Sequence, residues 1–145
     1  MKISTRGRYA LRMMVDLAEN DGGGYIAMKT VAKRQGISLK YMEKILPLFV
    51  SAGLVKGVQG KGGGYRLTRA PEEYRAGEIL RLAEGGLSPV SCLERGAEPC
   101  ARMARCPTFP LWHELDRRIN EYLDSVTLAD LMHPMVNDEE GILKK

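Results

Sequence analysis

Three cysteines, Cys92, Cys100 and Cys106, fall within fifteen residues of one another in a chain of 145. Their spacing, C-x7-C-x5-C, has no C-x2-C knuckle of the structural zinc kind and no fourth cysteine. Thiolates grouped in this way can hold zinc or an iron-sulfur cluster, and either needs a fourth ligand. His113, Glu94, Glu98 or a residue of a second copy are the candidates. An odd cysteine count behind a polar amino terminus argues against a disulfide framework. Cys106 and His113 also make a conceivable nucleophile and base, but nothing nearby reads as an oxyanion hole or a substrate pocket, so the expectation is that the chain is not an enzyme.

The elements that would have to position these thiols can be read from periodicity. Residues 87–110 carry Pro89, Pro99, Pro107 and Pro110 with no sustained repeat, which predicts an irregular loop. A structureless stretch of that length usually has a job. Beyond it, Leu111, Leu115, Ile119, Tyr122 and Val126 recur at spacings of three and four, widened by Trp112 and Leu123, and predict a long amphipathic helix. Its polar side is Glu114, Asp116, Arg117, Arg118 and Glu121, and its apolar stripe fits a seam between two copies of the chain. Thr127 and Asp130 stand in capping-box-like positions for a short further helix, and residues 133–145 read as a flexible tail. Upstream, Ala76, Ile79, Leu80 and Ala83 mark one face of a connecting helix that Gly85-Gly86 ends.

Charge divides the chain. Up to Ala70 there are 13 basic and 4 acidic residues, a net +9; beyond it 9 and 14, a net −5. A basic half joined to an acidic one suggests that only the first meets a polyanion. Apolar residues at 44% and charged residues at 28% exclude a disordered acidic tail. The longest apolar run is six residues, 45–50, far short of the ~20 a spanning helix needs. Cytoplasmic residence without a membrane partner is expected.

Within the basic half, Leu11, Met14, Val15 and Ala18 predict a first helix, with Arg6, Arg8 and Arg12 beside it. A short second helix carries Met28, Val31 and Ala32 inward and stops at Gln35-Gly36-Ile37. Ser38 fits the N-cap of a third helix, with Leu39, Met42, Ile45, Leu46 and Phe49 buried and Lys40, Tyr41, Glu43 and Lys44 outward. Pro47 predicts a kink or an early stop in that helix. Two strands, 54–58 and 65–68, flank the glycine-rich tip 59–64. Together these predict a winged helix-turn-helix: mainly α, with a small β-hairpin wing and a long late helix for dimerisation.

A helix fits the major groove, and its first turns reach base edges, which assigns Ser38, Lys40, Tyr41, Glu43 and Lys44 to the readout of double-stranded DNA. Glu43 accepts only from donors such as the cytosine amino group and repels most other sequences, so it acts as a selectivity filter. Gln59, Lys61, Gly62 and Gly63 at the wing tip allow close backbone approach to phosphate or the minor groove. The tip opens no helix and lacks the G-K-[ST] ending, so it is not a nucleotide loop.

The opening MKISTRGRYAL, the QGISLKYMEKIL helix, the AGLVKGVQGKGGGYRL wing, AGEILRLAEG and VTLADL occur in order. In these segments the chain resembles the winged-helix regulators that include IscR, CymR and the nitric-oxide-sensitive NsrR, and most nearly the iron-sulfur regulators among them. The resemblance implies a homodimer joined through the long helix on a palindromic operator, with Arg6 and Arg8 near the duplex. It also implies that Cys92, Cys100 and Cys106 ligate an iron-sulfur cluster of the 2Fe-2S type that modulates operator binding. Relatives of the CymR kind lack the cysteine triad and act as cluster-free repressors with a protein partner. A structural zinc site is the other alternative. Two departures stand out. The first cysteine gap is two residues longer than the common C-x5-C-x5-C-x2-H pattern, with Phe109 where the histidine would be, and Gln59 stands where an arginine is usual. The expected organisation is a DNA-binding unit at 1–70, a connecting helix at 71–86, a sensor loop at 87–110, the dimerisation helix with its short follower at 111–132, and the tail.

Overall fold

The structure, a computed structural model, describes residues 1–132; the tail expected at 133–145 lies outside the described residues. Helices α1 (Thr5–Glu19), α2 (Met28–Gln35) and α3 (Leu39–Ser51) lead into strands β1 (Val55–Val58) and β2 (Gly64–Leu67). Then come α4 (Ala76–Glu84), a long connection with short 3-10 turns at Ser91–Leu93 and Met103–Arg105, α5 (Phe109–Ser125) and α6 (Leu128–Met132). This is the mainly helical winged architecture that the periodicity predicts.

The Ser4 hydroxyl caps α1 by accepting from the Gly7 N–H at 3.3 Å. Its buried face is Gly7, Ala10, Met13, Met14, Leu17 and Ala18, and Leu11 and Val15, expected inside, are only partly covered. The face is wide because α2, α3, α4 and α6 all pack on this one helix. Helix α2 stops at Gly36, whose φ of 63° is the left-handed conformation that favours glycine. The turn then buries Ile37 and delivers Ser38, whose Oγ accepts from the Tyr41 N–H at 3.1 Å.

Helix α3 buries Met42, Ile45, Leu46 and Phe49 as expected, but Leu39 in its first turn stays 37% exposed. The stop expected at Pro47 does not occur, since the helix runs on to Ser51. Proline removes the bond to the carbonyl of Glu43, and both residues lie on the exposed side of the helix, where a lost backbone bond costs least because solvent is at hand.

The hairpin pairs Val55 with Leu67 and Gly57 with Tyr65 in antiparallel register. Residue 26 adds a bridge at its edge: Ile26 N–H donates to Tyr65 O at 2.9 Å and Tyr65 N–H to Ile26 O at 2.8 Å. Tyr74 is fully buried beneath the wing. Its hydroxyl accepts from the N–H groups of Thr68 and Arg69 and donates to Leu54 O at 2.7 Å.

Val126, expected on the apolar stripe of α5, lies beyond the end of that helix, extended and buried. Its carbonyl accepts from Ala76 N–H at 2.9 Å, and Leu128 N–H donates to Tyr74 O at 3.0 Å. This link stitches α6 onto the start of α4 and places Leu128 in the same core as Met13 and Phe49. The reciprocal cap at the start of α6 forms as the spacing predicts, Thr127 N–H to Asp130 Oδ2 and Asp130 N–H to Thr127 Oγ1. In contrast, α5 has no fully buried residue, and Leu111, Leu115 and Tyr122 are exposed by 60, 39 and 53%.

Candidate nucleic-acid interface

The turn between α2 and α3 is held from below by a buried carboxylate. Asp16 of α1 is 1% exposed and takes a forked pair from Arg34, Nε at 3.1 Å and Nη2 at 2.6 Å, plus Gln35 Nε2 at 2.9 Å. Arg12 reaches over to both the side chain and the carbonyl of Gln35. A buried charge is tolerated only when paired in this manner, and the pairing fixes where α2 ends relative to α1. This pair was not anticipated, although Asp16 inside an apolar helical face was the visible signal.

On that support, Ser38, Lys40, Glu43 and Lys44 are exposed along the first turns of α3. Tyr41 is half-buried instead of fully outward: its ring meets Tyr9 edge-on at 5.4 Å, and Arg12 lies 5.5 Å from the Tyr9 ring centre. Arg6 and Arg8 are exposed at the start of α1, Arg8 bonding Thr5 Oγ1 at 3.1 Å. In the wing, Gln59, Lys61 and Gly62 are exposed, and Gly63 closes the tip through its N–H to Gly60 O at 3.0 Å.

Helix α3 and the wing face each other across a groove of about 710 Å³ whose walls include Lys29, Leu39, Glu43, Gly57, Gln59 and Gly63. The groove thus joins residues assigned separately to helix and wing. Lys29, exposed at the start of α2, is a further cation on this side that the motif-based assignment missed. Its position between two assigned elements was the available clue.

The cysteine loop is built differently. All three cysteines are free thiols, Cys100 exposed, Cys92 and Cys106 half-buried. Cys92 and Cys106 sit on separate turns, closed by Leu93 N–H to Val90 O and Cys106 N–H to Met103 O. The Cys106 Sγ lies 3.3 Å from Thr108 Oγ1, and this hydroxyl, with the Thr108 and Phe109 N–H groups and the charge of Arg102, holds the thiol below the usual cysteine range. His113 lies beside Phe109, ring centres 5.8 Å apart, and Glu94 and Glu98 are exposed. Among the described residues, no three His, Cys, Asp or Glu side chains form a group that could hold a metal ion. As folded here, the loop does not form the convergent set that zinc or an iron-sulfur cluster requires.

The long helix beyond the loop carries its own ion-pair network. Glu114 accepts from both Arg117 and Arg118, and Arg117 also reaches Glu121. The two guanidinium groups pull the Glu114 carboxyl down to about 2. Among the described residues no helix is long and apolar enough to cross a membrane.

Comparison with known proteins agrees with this geometry. A family model described as Rrf2, iron-dependent transcriptional regulator, matches residues 3–134. The chain is 38% identical over 132 residues to the transcriptional regulator IscR of Aliivibrio salmonicida, covering 91% of this chain and 77% of that protein. The solved structure of CymR, the global cysteine regulator of B. subtilis, superposes with a TM-score of 0.75 at 40% identity, covering 92% of this chain and 97% of that one. That of T. potens IscR gives 0.72 at 34% identity, covering 100 and 94%.

Proposed function

The chain belongs to the Rrf2 family of DNA-binding transcriptional regulators, a regulator and not an enzyme, and from that premise we propose that it acts as a homodimer on an inverted-repeat operator without requiring a bound cluster. The observation that carries this reading is the Ser38-capped helix on the basic half of the chain, with Lys40 and Lys44 exposed and Glu43 across a groove from a glycine-tipped wing. Ser38, Lys40, Tyr41, Glu43 and Lys44 enter the major groove; Gln59, Lys61, Gly62 and Gly63 follow the adjacent backbone; Arg6 and Arg8 hold phosphates. Residues 1–70 are the DNA reader, 71–86 connect it, 87–110 form the sensor segment, and 111–132 carry the dimer helix. The exposed Leu111, Leu115 and Tyr122 of α5 meet the same helix of a second copy and set the half-site spacing at ~34 Å. Selection of bound duplexes from a random library by the full-length chain tests this: an inverted repeat is expected, and no enriched sequence overturns it.

The family description and the IscR relatives favour a second reading, in which Cys92, Cys100 and Cys106 take an iron-sulfur cluster that modulates operator binding. The loop geometry favours the cluster-free form, of the kind the CymR match represents. Iron, sulfide and zinc analysis of anaerobically prepared protein decides between them. Stoichiometric iron and sulfide establish the cluster, zinc without colour a structural site, and absence of all three the cluster-free regulator.

A further inference from the structure

Away from the DNA-facing groove, the end of α4, the loop after it and one side of α5 enclose a cavity of about 840 Å³. One wall is Arg81 and Glu84 with Gly85 and Gly86, another is Glu94 and Arg95, and the floor is Asp116, Asn120 and Asp124. Part of this lining is already satisfied. Arg81 divides its guanidinium between Asn120 Oδ1 at 2.9 Å and Asp124 at 2.5 Å, and Asn120 Nδ2 donates to the Asp116 carbonyl at 2.8 Å. Glu84 Oε1 accepts from the Ser4 N–H and hydroxyl.

What is left is specific. Asp116 Oδ1 is buried and, among the described residues, has no hydrogen-bond donor. Arg95 and Glu94 are exposed at the rim, with no ion-pair partner among the described residues. A buried carboxylate oxygen without a donor is a costly arrangement that a bound donor would relieve. The proposed dimer seam does not supply that donor. At 3.6 residues per turn Asp116, Asn120 and Asp124 lie on the opposite side of α5 from Leu111, Leu115 and Tyr122. A metal ion does not fit either, because the carboxylates here do not converge into a cation site.

The geometry points to a binding site for a small zwitterion, a free α-amino acid: its ammonium group donates to Asp116 Oδ1 with Glu94 adding negative charge, and its carboxylate pairs with Arg95. A cavity lined by one buried carboxylate oxygen without a donor and by one exposed cation without an ion-pair partner among the described residues offers opposite charges to the two ends of a zwitterion. It also adjoins Glu84, whose Oε1 caps the start of α1 through Ser4, so the site touches the DNA-binding unit directly.

Calorimetric titration of the full-length chain with the common L-amino acids tests the assignment, and it needs no DNA, so its failure is separate from failure of the operator-binding proposal. At least one free amino acid is expected to bind, its N-acetyl form is expected not to, and its carboxamide is expected to bind more weakly. Asp116→Asn should weaken binding about tenfold or more by removing the charge from the acceptor. Arg95→Gln should weaken the free acid but leave the carboxamide unchanged, which guards against a variant that merely perturbs the fold. No binding of any free amino acid at millimolar concentration overturns the site, as does N-acetyl binding of equal strength. Binding that both Asp116→Asn and Arg95→Gln leave unaltered does the same.

Discussion

The Tyr74 hydroxyl donates to the Leu54 carbonyl at 2.7 Å across twenty residues of sequence, and in doing so joins the base of the wing to the start of α4. The same oxygen accepts from Thr68 and Arg69, and Arg69 lies 4.6 Å above the ring while its guanidinium grips Glu78 at 2.8 and 3.2 Å. Replacing Tyr74 with Phe keeps the ring and removes one atom that serves three backbone groups. The expected cost is about 1–3 kcal/mol, the desolvation penalty of buried groups left without partners. Urea unfolding measures it; a loss within error of zero would mean that water replaces the hydroxyl.

Lys40 and Lys44 are exposed on the first turns of α3. If each neutralises one phosphate, Lys40→Ala and Lys44→Ala should each reduce the slope of log affinity against log salt by about 1. Titrations of one operator duplex at several salt concentrations give the slope. A lysine whose removal leaves it unchanged holds no phosphate.

Leu111 and Leu115 leave much of their surface in water on a helix with no buried residue. Leu115→Asp places a charge in the proposed seam and should shift the chain from dimer to monomer in sedimentation equilibrium. Operator affinity should fall with it, since two half-sites are then no longer held at one spacing. A dimer that persists in Leu111→Asp/Leu115→Asp assigns the contact to another surface.

The Glu114 carboxyl, held near 2 by Arg117 and Arg118, titrates below its ordinary range. Its folded value is depressed, so its contribution to stability is present above about 4.5 and is lost as pH falls through about 2. NMR titration of the side-chain carbonyl carbon should show that low midpoint. In Arg117→Gln/Arg118→Gln it should return toward the usual glutamate range; an unmoved midpoint removes the two arginines as its cause.

The Thr108 hydroxyl stabilises the Cys106 thiolate. Alkylation of Cys106 by iodoacetamide should therefore begin at lower pH in the natural chain than in Thr108→Val. Peptide mapping across a pH series separates Cys106 from Cys92 and Cys100, and superimposed profiles would show that the hydroxyl does not govern the thiol.

The helices and hairpin of the basic half were legible because each carries a local mark: Ser38 before an apolar repeat, Gly36 at a stop, glycines between two strands. Contacts between distant segments had no such mark. Val126 continues the spacing of Leu111, Leu115, Ile119 and Tyr122, so periodicity placed it on α5, although the chain leaves the helix there to pair with Ala76. Tyr41 was assigned outward because nothing in its own segment announces Tyr9 of α1. The candidate cations could be listed from charge and capping, whereas the groove that brings Glu43 of α3 and Gln59 of the wing together with Lys29 is a product of packing. The cysteines show the same limit from the other side. Nearness in sequence suggested a common site, but two separately closed turns keep Cys92 and Cys106 out of any metal-holding group among the described residues.

The bond from Ser4 to Glu84 spans eighty residues, and the glycine at residue 7 leaves room for the carboxylate in this position: a β-carbon there would fall 2.2 Å from Glu84 Oε1, which would have to shift. Glu84 is also the last residue of α4, directly ahead of the segment that bears the thiols. The Glu84 carboxylate thus ties the amino end of the first helix to the residue that leads into the cysteine-bearing segment, so the two ends of the described chain's first eighty-odd residues share one side chain as their anchor.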